Sequence, residues 1–495
     1  MTSPLSIGAA CAITIGLWLV VRIIIGKSDL PCPPGPRRLP IIGNALDIDM
    51  KEPHLTYTEW GKTYGDIVYS RIFGQDFIIV NSERVGRILG DQRPSIYSDR
   101  PQSPLYRILG TNRMSGLLPY GNEWKTHRKI LHASLRHDVV DRYYDLHLRN
   151  ACKLLENMRR DSINWREHFD FYTSATSLEF TYGRRVDGED DPLITLANSL
   201  AEVIGKETTS ERIGLLMALP MLEYLPSWFP GAGFKKAASR AKDIMKTVSE
   251  IPYSMAKKEM ESNLLQPSLV ADIMTHGDVE ESDGKLASAG IFMIASESTS
   301  STLKVLVLAM VLNPDVQAKV HAELDTVVGK GVLPTFEYKE RLPYLQAILY
   351  EVLRWRPVVP LGVPHATTTS DIYEGYYIPK GCIVIFNAWA MRTSEHSDPE
   401  KFDPSRYLTP DGQLKPEAKQ SVLKYFGFGR RICPGRFFLD NSLWAAAAVM
   451  LAALRFEKVK DPSGKDIEVD TTFRRGIVGQ PDSFECSITS RFSDE

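Results

Sequence analysis

The chain has 495 residues, of which 43% are hydrophobic and 24% charged, the balance of an ordinary globular protein that can fold as one large domain or as about two to four smaller ones. A formal net charge of −2 argues against a nucleic-acid binder that works by neutralising phosphates. Cys11, Cys32, Cys152, Cys382, Cys433 and Cys486 stand singly, without zinc or CxxC spacing, and there is no N-x-[ST] sequon; a disulfide framework is disfavoured and a reducing, cytosol-facing compartment fits.

Leu5–Ile25 is apolar except for Ser6, Thr14 and Arg22, which suits a single transmembrane helix of about 20 residues. A cleaved signal peptide would place basic residues ahead of a shorter apolar core. Here Arg22, Lys27, Arg37 and Arg38 lie at or beyond its C-terminal end, so the positive-inside rule puts the bulk of the chain in the cytosol. A buried core helix is the alternative; the terminal position and the stiff break that follows favour a membrane anchor. That break, Pro31–Asn44, reads PCPPGPRRLPIIGN, and its prolines hold the backbone extended as a strut. Beyond Gly43 there is no linker-like stretch and no internal repeat. The expected organisation is an anchor over 1–27, a hinge over 28–44 and one large domain over 45–495.

Branched and aromatic runs predict strands at Ile67–Phe73, Phe77–Asn81 and Cys382–Asn387. Helical periodicity is clearest at Asn122–Ser134, Leu286–Leu312, Pro314–Val328, Tyr344–Trp355 and Pro434–Leu454. Asn313-Pro314 marks a stop and restart. The fold class is mainly α with minor β.

Near the C-terminus, FGFGRRICPG (Phe426 to Gly435) pins Cys433 between glycines and arginines. Pro434 is placed for the first position of the following helix, which sets Cys433 at a helix N-terminus where the macrodipole lowers a thiol's pKa. Gly427 and Gly429 permit a tight turn that brings backbone N–H groups to the sulfur. Arg431 suits a haem propionate, and Phe426 can cover the sulfur. The loop reads as a thiolate ligand for haem iron, which favours O–O cleavage. A buried structural cysteine in a glycine-rich turn is the bland alternative.

FGFGRRICPG resembles the FxxGxRxCxG signature of the cytochrome P-450 superfamily at every specified position. The resemblance runs along nearly the whole chain, and LRWRPVVPLGVPHATT is similar to fungal microsomal members. It implies haem b as cofactor. It implies that Glu351 and Arg354 of EVLRWRP form a buried ExxR pair joined by Arg406 of FDPSR as a structural network. It implies that Trp124 and Arg128 of WKTHR, and His365 of PLGVPHATT, contact haem propionates. In the run GIFMIASESTSSTLKVLVLAM it assigns proton delivery to Glu297 and an alcohol. Ala295 stands where the family has glycine, and Ser298 where it has threonine; a one-residue register shift would make Thr299 the alcohol. The substrate pocket falls to Ser95–Leu118, Phe292–Thr299, Val358–Val363 and Gly476–Pro481.

By the same resemblance the chain is a monooxygenase on the endoplasmic reticulum membrane. It would insert one oxygen atom from O2 into a hydrophobic small molecule of secondary or xenobiotic metabolism. Electrons would come from an NADPH-dependent cytochrome P-450 reductase, with cytochrome b5 as a second donor, because the chain carries no flavin or nicotinamide fingerprint. Lys125, Arg128, Lys129, Lys424, Arg430 and Arg436 are candidates to steer an acidic reductase. Two other readings stay open: a haem-thiolate isomerase, dehydratase or peroxygenase that needs no reductase, and a non-catalytic haem sensor or scaffold.

Overall fold

Strands Ile67–Ile72 and Gln75–Val80 pair antiparallel, and Ile383–Phe386 adds parallel to the second of them. Val68, Ile78, Ile79 and Val384 are fully buried because the sheet is covered on both faces. The hairpin reverses through Phe73 (φ 47°) and Gly74 (φ 81°), two left-handed residues as a two-residue turn requires. The first expected strand therefore stops one residue short of Phe73. The short strand His365–Ala366 closes the sheet's far edge, with His365 opposite Val384. This computed structural model describes residues 30–492 except 187, 189, 209, 229–232, 265, 277–278, 394–397 and 475, so the expected anchor over 1–27 lies outside the described residues.

Residues 31–44 do not stand free as a strut. Tyr69 N–H donates to Pro34 O (2.9 Å), and Asn44 N–H donates to Arg71 O (2.7 Å). A Cβ on Gly43 (φ 64°) would lie 1.8 Å from Arg71 O, so only glycine permits this contact. The proline-rich segment is a cover laid on the first hairpin.

Helices form the rest of the body. Asn122–Leu135, Pro314–Val327 and Pro343–Trp355 lie where their periodicity places them. The core helix runs from Glu281 to Leu312, five residues earlier than its apolar pattern suggests. Glu281 and Asp283 occupy its first turn, where carboxylates are favoured by the macrodipole but carry no hydrophobic signal. By length and composition this helix could cross a bilayer, yet 67% of its most apolar window is buried. Its C-terminal half, Leu303 to Val311, packs with Leu345, Ile348, Trp444 and the alanine run 445–448 in the largest apolar cluster.

Glu351 and Arg354 stand one turn apart, with exposures of 0% and 1%. Arg354 Nε and Nη2 donate to the two carboxylate oxygens at 2.6 and 2.8 Å. Asp403 N–H donates to Glu351 Oε1 at 2.7 Å, and Arg406 Nε lies 3.4 Å from the same oxygen. Arg354 also donates to Pro399 O (2.9 Å) and Lys401 O (3.1 Å). Burial pushes the Glu351 carboxyl up, and the hydrogen bond from Arg354 pulls it back. This cluster ties the helix to residues 398–406. Glu351→Ala leaves a buried guanidinium uncompensated, and urea unfolding is expected to show a loss of about 3–5 kcal/mol.

His147 is buried with both ring nitrogens unpartnered, and burial holds it neutral with a pKa lowered to about 3. Burial lowers the His321 pKa to about 4. Both folded values lie below that of an unfolded histidine, so the unfolded chain binds more protons as pH falls below about 6.5. Stability is therefore expected to fall from pH 6.5 towards pH 4, by up to about 1.4 kcal/mol per pH unit for each histidine. Urea midpoints at pH 5 and pH 7 measure this; His147→Leu should remove its share of the slope.

Candidate functional site

Cys433 sits in the loop that enters helix Arg436–Ala453. Gly435 is the N-cap and Arg436 the first helical residue, so Pro434 precedes the helix rather than opening it. The backbone N–H groups of Gly435 and Arg436 lie on the side that favours the Cys433 thiolate. Burial pushes the free thiol up, against the pull of these N–H groups and of the Arg128 and Arg436 guanidiniums. The helix terminus alone therefore does not make a thiolate here; a bound iron would supply the missing stabilisation.

The glycines differ from expectation. The backbone N–H groups that favour the thiolate belong to Gly435 and Arg436 rather than to Gly427 and Gly429. Gly429 (φ 60°) serves a close crossing, since a Cβ there would meet Gly90 O at 2.0 Å. Gly427 is left-handed (φ 90°) and ends the preceding turn. Phe426 contributes its carbonyl, which accepts from Cys433 N–H at 2.8 Å.

Cationic side chains converge beside this loop. Arg431 is 8% exposed; Nε donates to Ser98 O (2.7 Å), Nη2 donates to Leu118 O (2.8 Å), and Nη1 is buried without a partner. Its guanidinium lies 4.3 Å from the Trp124 ring centroid. Arg128 Nη1 donates to Ile432 O at 2.6 Å. His365 is buried, with Nδ1 2.7 Å from Tyr97 O. Arg100, which the sequence reading passed over, gives its donors to Gly116 O (2.8 Å), Val363 O (2.6 Å) and Pro364 O (2.8 Å). Burial lowers the pKa of Arg100 to about 9 and of Arg431 to about 10; the Asp99 carboxylate opposes both shifts, while Arg431 adds to that of Arg100 and Arg128 to that of Arg431. Burial, and then Arg100, hold His365 neutral.

Desolvated cations that repel one another, one with an orphaned donor, are costly unless an anion joins them. A haem with two propionates beside a thiol fits this donor set: Cys433 for the iron, and Arg431, Arg128, Trp124, His365 and Arg100 on the carboxylate side.

The core helix shows an accessible window at residues 294–298, flanked by buried turns. Ile294 is 48% exposed, and Ile291, Ala295 and Ser298 share its face at i, i+3, i+4, i+7 spacing. Thr299 is buried. Both alcohols bond carbonyls one turn back: Ser298 Oγ to Ile294 O (3.1 Å) and Thr299 Oγ1 to Ala295 O (2.6 Å). Only Ser298 lies on the open face.

Glu297 is also in the window. Glu297 is exposed there, yet desolvation by the surrounding protein still raises its carboxyl; Asp170 adds to the rise and Lys304 opposes it. Lys304, 4% exposed, pairs with Asp170 (2.7 Å) and donates to Gln480 Oε1 (3.2 Å). Neither Asp170 nor Lys304 was singled out beforehand, although a lone lysine in an apolar run was a visible signal.

The expected pocket segments meet here. Gly116 lies beside Ile294. Gly479 N–H donates to Val358 O at 2.7 Å. Val363 and Ile477 are 36% and 40% exposed. A cavity of 530 Å³ is lined by Arg100, Ser103, Met217, Pro220 and Ile383, and so by part of the expected pocket segment 95–118, but by neither Cys433 nor Glu297. Of the basic residues expected to meet a reductase, Lys424 is buried and paired with Glu83 at 2.9 Å. Arg436 turns inward to Cys433 O (3.0 Å). Lys125, Lys129 and Arg430 are exposed.

A family model described as cytochrome P-450 matches residues 33–486. Cytochrome P-450 monooxygenase 136 of Postia placenta is 34% identical over 513 residues, covering 99% of this chain and 94% of that protein. Cytochrome P-450 monooxygenase COX2 of Coprinopsis cinerea is 33% identical over 494 residues (97% and 93%). A cytochrome P-450 monooxygenase of Armillaria gallica is 35% identical over 492 residues (97% and 96%).

If the orphaned Arg431 donor is aimed at a propionate, Arg431→Leu should lower haem content several-fold while Cys433→Ser retains some haem but loses the thiolate-type Soret band of the reduced CO complex. Haem-to-protein ratios and CO difference spectra measure the two outcomes.

Proposed function

The chain belongs to the cytochrome P-450 family and is a monooxygenase like its fungal relatives; on that premise we propose that it oxygenates a hydrophobic small molecule of secondary or xenobiotic metabolism, at the endoplasmic reticulum membrane, with electrons from an NADPH-dependent cytochrome P-450 reductase and, as a second donor, cytochrome b5. The observation that carries the site assignment is the orphaned, buried Arg431 donor in a cluster of guanidiniums beside the Cys433 sulfur. Haem b supplies the dioxygen chemistry, and a thiolate ligand favours O–O cleavage.

Each residue has a task in that reading. Gly435 and Arg436 N–H groups orient and tune the Cys433 sulfur. Arg431, Arg128, Trp124, His365 and Arg100 hold the propionates and exclude water from them. Ile294, Val363 and Ile477 offer apolar surface to the substrate. Glu297 holds a proton more tightly than an ordinary carboxyl, so it can give one up at the window, with the Ser298 hydroxyl beside it. Thr299 braces the helix from its buried side.

Two exposed apolar stretches support a membrane-facing surface. One carries Leu39, Ile41 and Leu46; the other carries Leu215, Leu219, Met221, Tyr224 and Trp228. Both adjoin one apolar cluster, through Ile48 and Met50 on one side and Met217 on the other. The cavity lined by Met217 and Pro220 opens at the second stretch. An anchor over 1–27 ahead of the cover segment and the single domain fits the same orientation. Lys125, Lys129 and Arg430 form the exposed cationic face for an acidic reductase.

Turnover of a substrate found by Soret-shift screening should require both NADPH and reductase. Turnover without them would instead mark an isomerase, dehydratase or peroxygenase, and no Soret shift with any ligand would mark a sensor. Glu297→Gln should lower reductase-supported turnover by about 10²-fold, with unchanged haem content and an altered solvent isotope effect.

A further inference from the structure

Away from the cofactor face, three ligating side chains converge where helix Asn122–Leu135 meets the first turn of the core helix. Glu123 and His127 stand at i, i+4 on one helix, and Asp283 comes from the other. One ligating atom from each lies within 4.8 Å of the other two. His127 is fully buried, with Nδ1 2.9 Å from Ser115 Oγ. Its Nε2 has no hydrogen-bond partner; the nearest carboxylate oxygen, Asp283 Oδ1, is 3.7 Å away. That distance is too long for a hydrogen bond whichever ring nitrogen carries the proton.

When Nδ1–H donates to Ser115, the Nε2 lone pair faces two carboxylates. Acceptors then point at acceptors around a common centre. Burial keeps the imidazole neutral against the pull of Asp283 and Glu123, so the ring does not supply the missing charge. Arg113 pairs with Glu123 (2.7 Å) and with Asp283 (3.3 Å), from a position 46% exposed. Such half-exposed pairs contribute about 0–1 kcal/mol and are easily exchanged.

We propose that Glu123, His127 and Asp283 form a binding site for a divalent cation of the zinc type, with Arg113 as its displaceable lid. One imidazole nitrogen and two carboxylates suit zinc, with a fourth position open to water. Ser115 fixes the ring through its other nitrogen, as ligating histidines usually require. The ion clamps the helix that carries Trp124 and Arg128 to the helix that carries Glu297. This site is independent of the haem and of the monooxygenase reading.

The test is equilibrium dialysis of the tag-free, haem-loaded full chain against Zn2+, with bound metal counted by mass spectrometry. One ion per chain is expected beyond what Asp283→Asn retains. His127→Ala and Asp283→Asn should weaken binding by at least about tenfold. Arg113→Gln removes the competing cation and should tighten it several-fold. Asp283 and Arg113 are not core residues, so their variants decide the matter even if His127→Ala does not fold. Equal uptake by the parent and Asp283→Asn, no uptake by either, or weaker binding in Arg113→Gln would overturn the proposal.

Discussion

A carboxylate with no solvent contact must have both oxygens answered, and those of Glu351 are: Arg354 donates to each, and Asp403 N–H adds a second bond to one of them. The arginine's remaining donors reach Pro399 and Lys401 carbonyls, so a single buried charge pair fixes a helix against an irregular segment. Irregular backbone has no ladder of its own to hold it. Its position depends on such fixed charges, which tolerate little displacement in a low-dielectric interior.

The cations near Cys433 show the opposite balance. Arg431 and Arg100 are buried and Arg128 half-buried, yet their donors go to neutral carbonyls, and Arg431 keeps one donor unanswered. The ExxR cluster is closed by the protein's own carboxylate; at the cofactor face Asp99 offsets the guanidiniums only in part, and one Arg431 donor is left over. That difference separates a structural network from a binding site among residues of similar burial and charge. The proposed cation site is the mirror image: carboxylates and an imidazole acceptor with only a half-exposed arginine between them.

Where helices and loops followed from local pattern, they were readable. The strands at 67 and 383 and the helices at 122, 314 and 343 need only periodicity and branching. The core helix's start was hidden because Glu281 and Asp283 stabilise it through the macrodipole rather than through an apolar face. Pro434 suits a first helical residue, but the helix begins after Gly435, which is its N-cap. Lys424 looked like a surface charge and is buried against Glu83, a partner 341 residues away in the chain.

The sequence alone determined the chemistry class, because that rests on residues close together in the chain: a cysteine within ten residues of glycines and arginines, and pairs three or four apart on single helices. It also determined the main helices, whose hydrogen bonds are local. The tertiary structure decided whatever depends on facing. It put Ser298 at the window and Thr299 behind it, turned Lys424 inward, joined Lys304 to Asp170, and brought Asp283 to His127. Those outcomes depend on which element packs on which, and residue spacing within one helix does not specify that.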